Sequence, residues 1–332
     1  MVTLDDCNLA QGRCYAFCPR TPVDLNLLSQ TVFGTPYPTS ELGTVKEVLM
    51  ARAAADALRS RAQYGGTVSA LVAFALQTGL IDTAVLTGSD EGVLPTGRAV
   101  RDEAGVLACA GSNFVASPTL ETFNREAAGD AQRIGVVATP CQTLALAKMR
   151  ASPLENRSNI DKLKLVVGLF CTWALGYRNF TGFLSERVPL DQIVKVDIPP
   201  PPANVFEVYT DSSHVTIPLD QVRAFIRPTC NTCIDMTAEF ADVSVGAAEG
   251  IAGWNTLIVR SEAGAKLVEA ARAAGALEAQ PLPDANLAHL KEAALIKKKR
   301  GLSNIVEVSG SKDDLLYLEA SREALRAPLS GV

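Results

Sequence analysis

Short runs of consecutive apolar residues alternate along this chain with longer stretches in which apolar positions recur every three or four residues. The runs IDTAVLTG (81–88), IGVVAT (134–139), LKLVVGLF (163–170), ADVSVG (241–246) and NTLIVRS (255–261) predict buried strands, and TVKEVLMAR (44–52) predicts another. Val68, Leu71, Val72 and Leu76 fall on one face at helical spacing and predict a helix over 67–78. Further helices are expected at TLETFNREAA after Ser117-Pro118, QTLALAKMR after Thr139-Pro140-Cys141, RNFTGFLSER, AGAKLVEAARAAG and LAHLKEAALIKKKRG. The segment ALRSRAQ leads into a break at Gly65-Gly66, and the prolines 199–202 mark a loop. FEVYT and HVTIPL alternate apolar and polar residues, as the arms of an antiparallel hairpin do. The alternation of strands and helices places the fold in the α/β to α+β class, with mixed sheet layers and flanking helices. The division expected is an irregular Cys-containing N-terminal segment (1–40), an N-terminal domain (41–125), a second domain (126–305) and a C-terminal tail (306–332).

Composition narrows the picture. In 332 residues, 48% hydrophobic, there is enough apolar surface for a sizeable core, and with 6% aromatic residues that core is built of Ala, Val and Leu. A net charge of −5 offers no basic field for nucleic acid. The basic run Lys297 to Arg300 reads as a solvated helix end complementing the helix dipole. TVSALVAFALQTGLI is the longest apolar stretch and is too short and amphipathic to span a bilayer. MVTLDDCNLA lacks the apolar core of a secretory signal, so a cytoplasmic location is expected.

Eight cysteines are many for that compartment, where disulfides are disfavoured and metal or redox chemistry becomes the better explanation. Cys141 and Cys171 each end an apolar run, and Cys230 and Cys233 form a C-x-x-C pair. Four such thiols suit a 4Fe–4S cluster, which takes one thiolate per iron, but they also suit a structural zinc ion. Two core cysteines plus a fortuitous pair would leave the same pattern. In CNLAQGRCYAFCPR, Cys14 and Cys18 followed by Pro19 resemble the end of a ferredoxin motif. Gln11 stands where that motif has cysteine and Cys7 is one residue out of register, so either a second cluster, completed by Cys109 or a non-cysteine group, or a decayed segment fits. Gly65 and Gly66 before a helix carrying Thr67 could admit a phosphate, or form an ordinary turn. They are not the G-x-G-x-x-G dinucleotide fingerprint. GSNFVASP (111–118) offers Ser112, Asn113 and Ser117 as donors. His214 and His289 are far apart and sit in no ligand-like spacing.

The stretches ATPCQTLALAKM, VVGLFC, RPTCNTCIDMTAEFADVSVG and GWNTLIVRSEAG resemble, in order and spacing, the coenzyme F420 hydrogenase/dehydrogenase beta subunit family. That family includes formate dehydrogenase beta subunits and 7-hydroxymethyl chlorophyll a reductase. The resemblance runs from about Gly43 to Arg300. It implies an FAD and a 4Fe–4S cluster in one chain, with Cys141, Cys171, Cys230 and Cys233 as cluster ligands. It also implies that Arg52, Gln63, Gly65, Gly66 and Thr67 approach the flavin. Ser112 and Asn113 form a second flavin loop by the same reasoning, and Thr139 and Gln142 flank the first cluster ligand. Ala53, Ala54 and Tyr64 depart from the family pattern, which bears on deazaflavin specificity more than on FAD. The role implied is electron transfer between a hydride carrier, coenzyme F420 or NAD(P)H, and partner subunits. Those partners would be the iron–sulfur and catalytic subunits of a hydrogenase, formate dehydrogenase or heterodisulfide reductase type complex. A stand-alone reductase of an organic substrate and a non-redox zinc scaffold are the rival roles.

Overall fold

The computed structural model describes residues 12–90, 94–154, 158–199 and 203–330. Eleven strands are found among them: β1 (Glu47–Ala53), β2 (Thr83–Asp90), β3 (Leu94–Val100), β4 (Ile134–Ala138), β5 (Leu163–Leu169), β6 (Ile193–Asp197), β7 (Val205–Thr210), β8 (His214–Pro218), β9 (Val243–Ala247), β10 (Asn255–Val259) and β11 (Leu277–Pro281). Eight form one mixed sheet in the order β11-β1-β10-β9-β5-β4-β2-β3, and β6-β7-β8 form a small antiparallel sheet. This is the expected α/β arrangement. The runs buried on both faces, such as IGVVA in β4 and NTLIV in β10, are the sheet's interior.

Side chains alternate across the sheet. Val137, Leu165, Val167 and Val245 pack under the helices Thr67–Gln77 and Glu262–Ala273. Val136, Ala138 and Val166 pack under Thr119–Ala128 and Pro140–Ala151. β2, β4, β5 and β9 are parallel, and β1 and β9 both run antiparallel to β10. The carboxyl ends of β1, β9, β5, β4 and β2 therefore share one edge, where open α/β sheets bind ligands. The small sheet belongs to a lobe that leaves this edge after β5. It encloses its own core of Phe180, Leu184, Phe206, Val208 and Val222.

Two expectations are corrected. The N-terminal segment is not simply irregular: Leu25–Phe33 is a helix, capped by Asp24. It packs in a cluster with Leu302, Ile305 and Leu318 from the other end of the chain. The basic run Lys297 to Arg300 is not a solvated helix end. It lies inside a longer helix, Asp284–Ser309, with Lys297 3% and Lys298 2% exposed. Their ammonium groups face carbonyl and carboxylate oxygens of the core, which removes the need for solvent.

Candidate functional site: a cysteine quartet at the carboxyl edge of the sheet

Cys141 is the second residue of the helix Pro140–Ala151, placed there because Thr139 and Gln142 close a reciprocal capping box behind β4. The helix dipole at that first turn favours a thiolate, while burial pushes the Cys141 thiol up against the hydrogen bond from Thr139. Cys171 follows β5, its amide bonded to Met236 O at 2.9 Å and its carbonyl taken by the Lys297 ammonium. Cys230 and Cys233 sit on the short turn of helix Pro228–Asn231 and just after it. Ala174 N–H donates to Cys230 Sγ at 3.4 Å, and Cys233 Sγ lies 3.6 Å from Asp235 O. All four are free thiols close enough to act on one another: Cys171 interacts electrostatically with Cys141, Cys233 and Cys230. Burial pushes the Cys171 thiol up to about 12, opposed by Lys297 and reinforced by the three cysteines.

The donor set, four soft sulfurs with cations alongside, fits an iron–sulfur cluster. A 4Fe–4S cluster takes one thiolate per iron.

Of the other cysteines, Cys7 lies outside the described residues. Cys14 and Cys18 flank Phe17, which packs against the sheet face carrying Pro140–Ala151. Cys109 ends the helix Glu103–Ala108 and packs against the opposite face.

The flavin candidates line the same edge. Gly66 caps the helix Thr67–Gln77 with φ +73°, a left-handed conformation that glycine adopts without strain. A Cβ on Gly65 would meet Asn255 Oδ1 at 2.8 Å and Ala51 O at 3.0 Å. Thr67 is fully buried and spends both its donors on the fold: its N–H on Asn255 Oδ1 (3.2 Å) and its hydroxyl on Ala51 O (2.9 Å). Arg52 pairs with Glu278 and lies over the Trp254 ring, 4.5 Å from its centre. Gln63 donates to Asp197 of β6, joining the glycine turn to the lobe. At the other end, Asn113 Oδ1 accepts from Val115 N, while its amide reaches Ser89 Oγ at 3.4 Å. Ser112 is exposed on that loop. Gln142 Nε2 donates to Ser117 O at 3.1 Å, linking this loop to the cysteine-bearing helix.

Four contributors to the site carry no motif. Asn255 is the acceptor that orders the glycine turn, and Arg20, Lys297 and Gly301 contact the cysteine-bearing segments from elsewhere in the chain. Glycine followed by Trp254-Asn255 ahead of an apolar run was the available signal for the first; the others lie far in sequence from what they touch.

Residues 48–124 match the N-terminal part, and residues 131–285 the C-terminal part, of the family described as coenzyme F420 hydrogenase/dehydrogenase, beta subunit. The chain is 32% identical over 270 residues to the coenzyme F420 hydrogenase subunit beta of Methanothermobacter thermautotrophicus, covering 80% of this chain and 95% of that one. This chain belongs to the coenzyme F420 hydrogenase/dehydrogenase beta subunit family. The F420-reducing [NiFe] hydrogenase complex from Methanosarcina barkeri contains a chain that superposes with a TM-score of 0.74 at 26% identity, covering 80% of this chain and 93% of its own length. A coenzyme F420-dependent sulfite reductase from Methanocaldococcus jannaschii shares 29% identity with 63% of this chain, over only 34% of its own length. Family members thus include both a subunit of nearly this length and a portion of a larger enzyme. No described helix is long and apolar enough to cross a membrane.

Proposed function

We propose that this chain is the flavin- and iron–sulfur-containing electron-transfer subunit of an oxidoreductase complex. FAD would face a hydride carrier, coenzyme F420 or NAD(P)H. A 4Fe–4S cluster on Cys141, Cys171, Cys230 and Cys233 would face partner iron–sulfur and catalytic subunits, of hydrogenase, formate dehydrogenase or heterodisulfide reductase type. The observation that carries this reading is the convergence of four free thiols at the sheet edge that also bears the glycine turn.

A bound flavin supplies exchange between two-electron hydride chemistry and one-electron transfer. The protein's part is position. Asn255 and Ala51 hold the turn of Gly65, Gly66 and Thr67. Arg52 and Gln63 offer polar groups at one end of the edge, and Ser112, Asn113, Thr139 and Gln142 at the other. Cys141 and Cys171 follow the central strands β4 and β5. The subunit role is favoured over a stand-alone reductase by the near full-length match to a hydrogenase subunit.

The test is anaerobic purification with assay of iron, sulfide and flavin, then reduction by reduced coenzyme F420 and by NAD(P)H side by side. Flavin bleaching by one carrier and a cluster signal lost in Cys230→Ser are expected. A colourless zinc protein would sink the reading, and full iron retention in Cys230→Ser would remove that ligand.

A further inference from the structure

Arg20 reaches the cysteine quartet from a part of the chain that supplies none of the four sulfurs. Its guanidinium donates to Thr232 O (3.3 Å) from one nitrogen and to Thr229 O (2.5 Å) from another, and also to the Tyr317 hydroxyl. Thr229 immediately precedes Cys230 and Thr232 immediately precedes Cys233, so one planar fork spans the C-x-x-C turn. The same side chain lines a cavity with Cys141 and Cys233, and its charge acts on both thiols.

The segment that presents Arg20 is fastened independently. The Lys148 ammonium, from the helix that carries Cys141, gathers Cys18 O (2.7 Å), Thr21 Oγ1 (2.7 Å) and Pro22 O (3.1 Å). Val23 N–H donates to Tyr317 O at 2.7 Å. Asp235 and Glu239 border the same cavity, but their oxygens are engaged: Asp235 by the amides of Thr237 and Glu239, Glu239 by Lys298 and Tyr37. The oxygens that accept from the Arg20 guanidinium are neutral, and Cys233 is its further side-chain partner, which leaves its positive charge to act on the sulfurs.

Resting on the reading of the quartet as a 4Fe–4S site, we propose that Arg20 is a positioning residue for the cluster. Its fork fixes the C-x-x-C turn, and its charge favours the reduced form and so raises the reduction potential. The step is a one-electron reduction: one electron enters, the site becomes one charge more negative, and no bond forms or breaks. Dithionite supplies the electron in the test. A fixed cation in a low-dielectric setting stabilises the added charge.

Full-length wild type, Arg20→Lys and Arg20→Gln are purified anaerobically, assayed for iron and sulfide, and titrated with dithionite while the reduced cluster is followed by electron paramagnetic resonance. Arg20→Gln should titrate lower, its reduced-to-oxidised ratio at the wild-type midpoint falling about tenfold, or about 59 mV for a one-electron couple. Arg20→Lys restores the charge but cannot span both carbonyls, so it should bind less iron yet titrate near wild type. A Gln variant at the wild-type potential, or Lys and Gln variants shifted alike, overturns the proposal. If Arg20→Gln retains no iron, the Lys variant decides alone: a wild-type potential supports the proposal and a shifted one refutes it. Wild type lacking iron and sulfide would instead overturn the cluster reading, and this inference with it.

Discussion

Glu239 and Lys298 meet at 2.9 Å with side chains only 4% and 2% exposed. Burial alone would lower the lysine's pKa; Glu239 and Tyr37 outweigh it and hold the ammonium charged. Tyr37 donates its hydroxyl proton to Glu239 and accepts from Lys298 at 2.9 Å, and burial next to Glu239 pushes its phenol well up. The amide of Glu239 in turn binds Asp235, just beyond Cys233. A buried pair of this kind gains little over an apolar substitute, yet breaking it leaves one desolvated charge. Lys298→Met should therefore cost about 3–5 kcal/mol in urea unfolding, and Lys298→Met with Glu239→Leu should recover most of it. A single variant as stable as wild type would show that the pair carries no such role. In sequence Lys298 is one letter of KKKR, indistinguishable from its neighbours. Only the distant Glu239 makes it a core residue.

The helix Asp284–Ser309 shows the same contrast one level up. Its residues Lys297, Arg300, Gly301 and Asn304 form one stripe, and the stripe grips two of the three cysteine-bearing segments. Lys297 holds Cys171 O, Arg300 reaches Thr172 O (3.4 Å) and Asn304 donates to Asn231 O (2.8 Å). At Gly301 an added Cβ would stand 2.7 Å from Cys233 O. Alanine normally favours a helix over glycine by about 1 kcal/mol, but here overpacking against backbone costs about 1–3 kcal/mol. Gly301→Ala should thus lower stability and, on the proposed cluster reading, iron content, whereas Gly182→Ala, on the exposed face of the helix Tyr177–Ser185 with nothing within 4 Å of the new methyl, should be neutral or stabilising. Thermal melts and iron assays on the two variants decide it; equal behaviour would mean the contact is slack.

Periodicity located this helix but ended it at Gly301, because glycine after a basic run looks like a stop. The apolar strands and the helix Thr119–Ala128 were legible for the opposite reason, being specified by their own burial pattern. β3, LPTGRAV, and β11, LEAQP, carry too few apolar residues to be seen locally and exist through pairing with β2 and β1. The cysteines of the site were legible as chemistry, while Arg20 and Asn255, which act through tertiary hydrogen bonds, were not.

At the scale of the molecule, the quartet ties together three separate places: the loops after β4 and β5 and the turn before β9. Around it the helix Leu25–Phe33 packs with Leu302, Leu318 and Leu325, so both ends of the described chain meet over this side of the sheet. A metal centre that binds only the folded arrangement adds its binding free energy to stability. On the proposed cluster reading, stripping iron anaerobically with a chelator should lower the melting temperature by several degrees, in proportion to iron lost, and reconstitution with iron and sulfide should restore it. An unchanged melting temperature in fully stripped protein would mean that the thiols are held without the cluster. The grip of helix Asp284–Ser309 also sets what changes of length this chain tolerates. One residue added between Lys297 and Gly301 would turn everything beyond it by about 100° and advance it about 1.5 Å, taking Gly301 and Asn304 off the cysteine turn together. Loops elsewhere can grow or shrink, but this span is a fixed ruler between the Cys171 carbonyl and the Cys233 carbonyl.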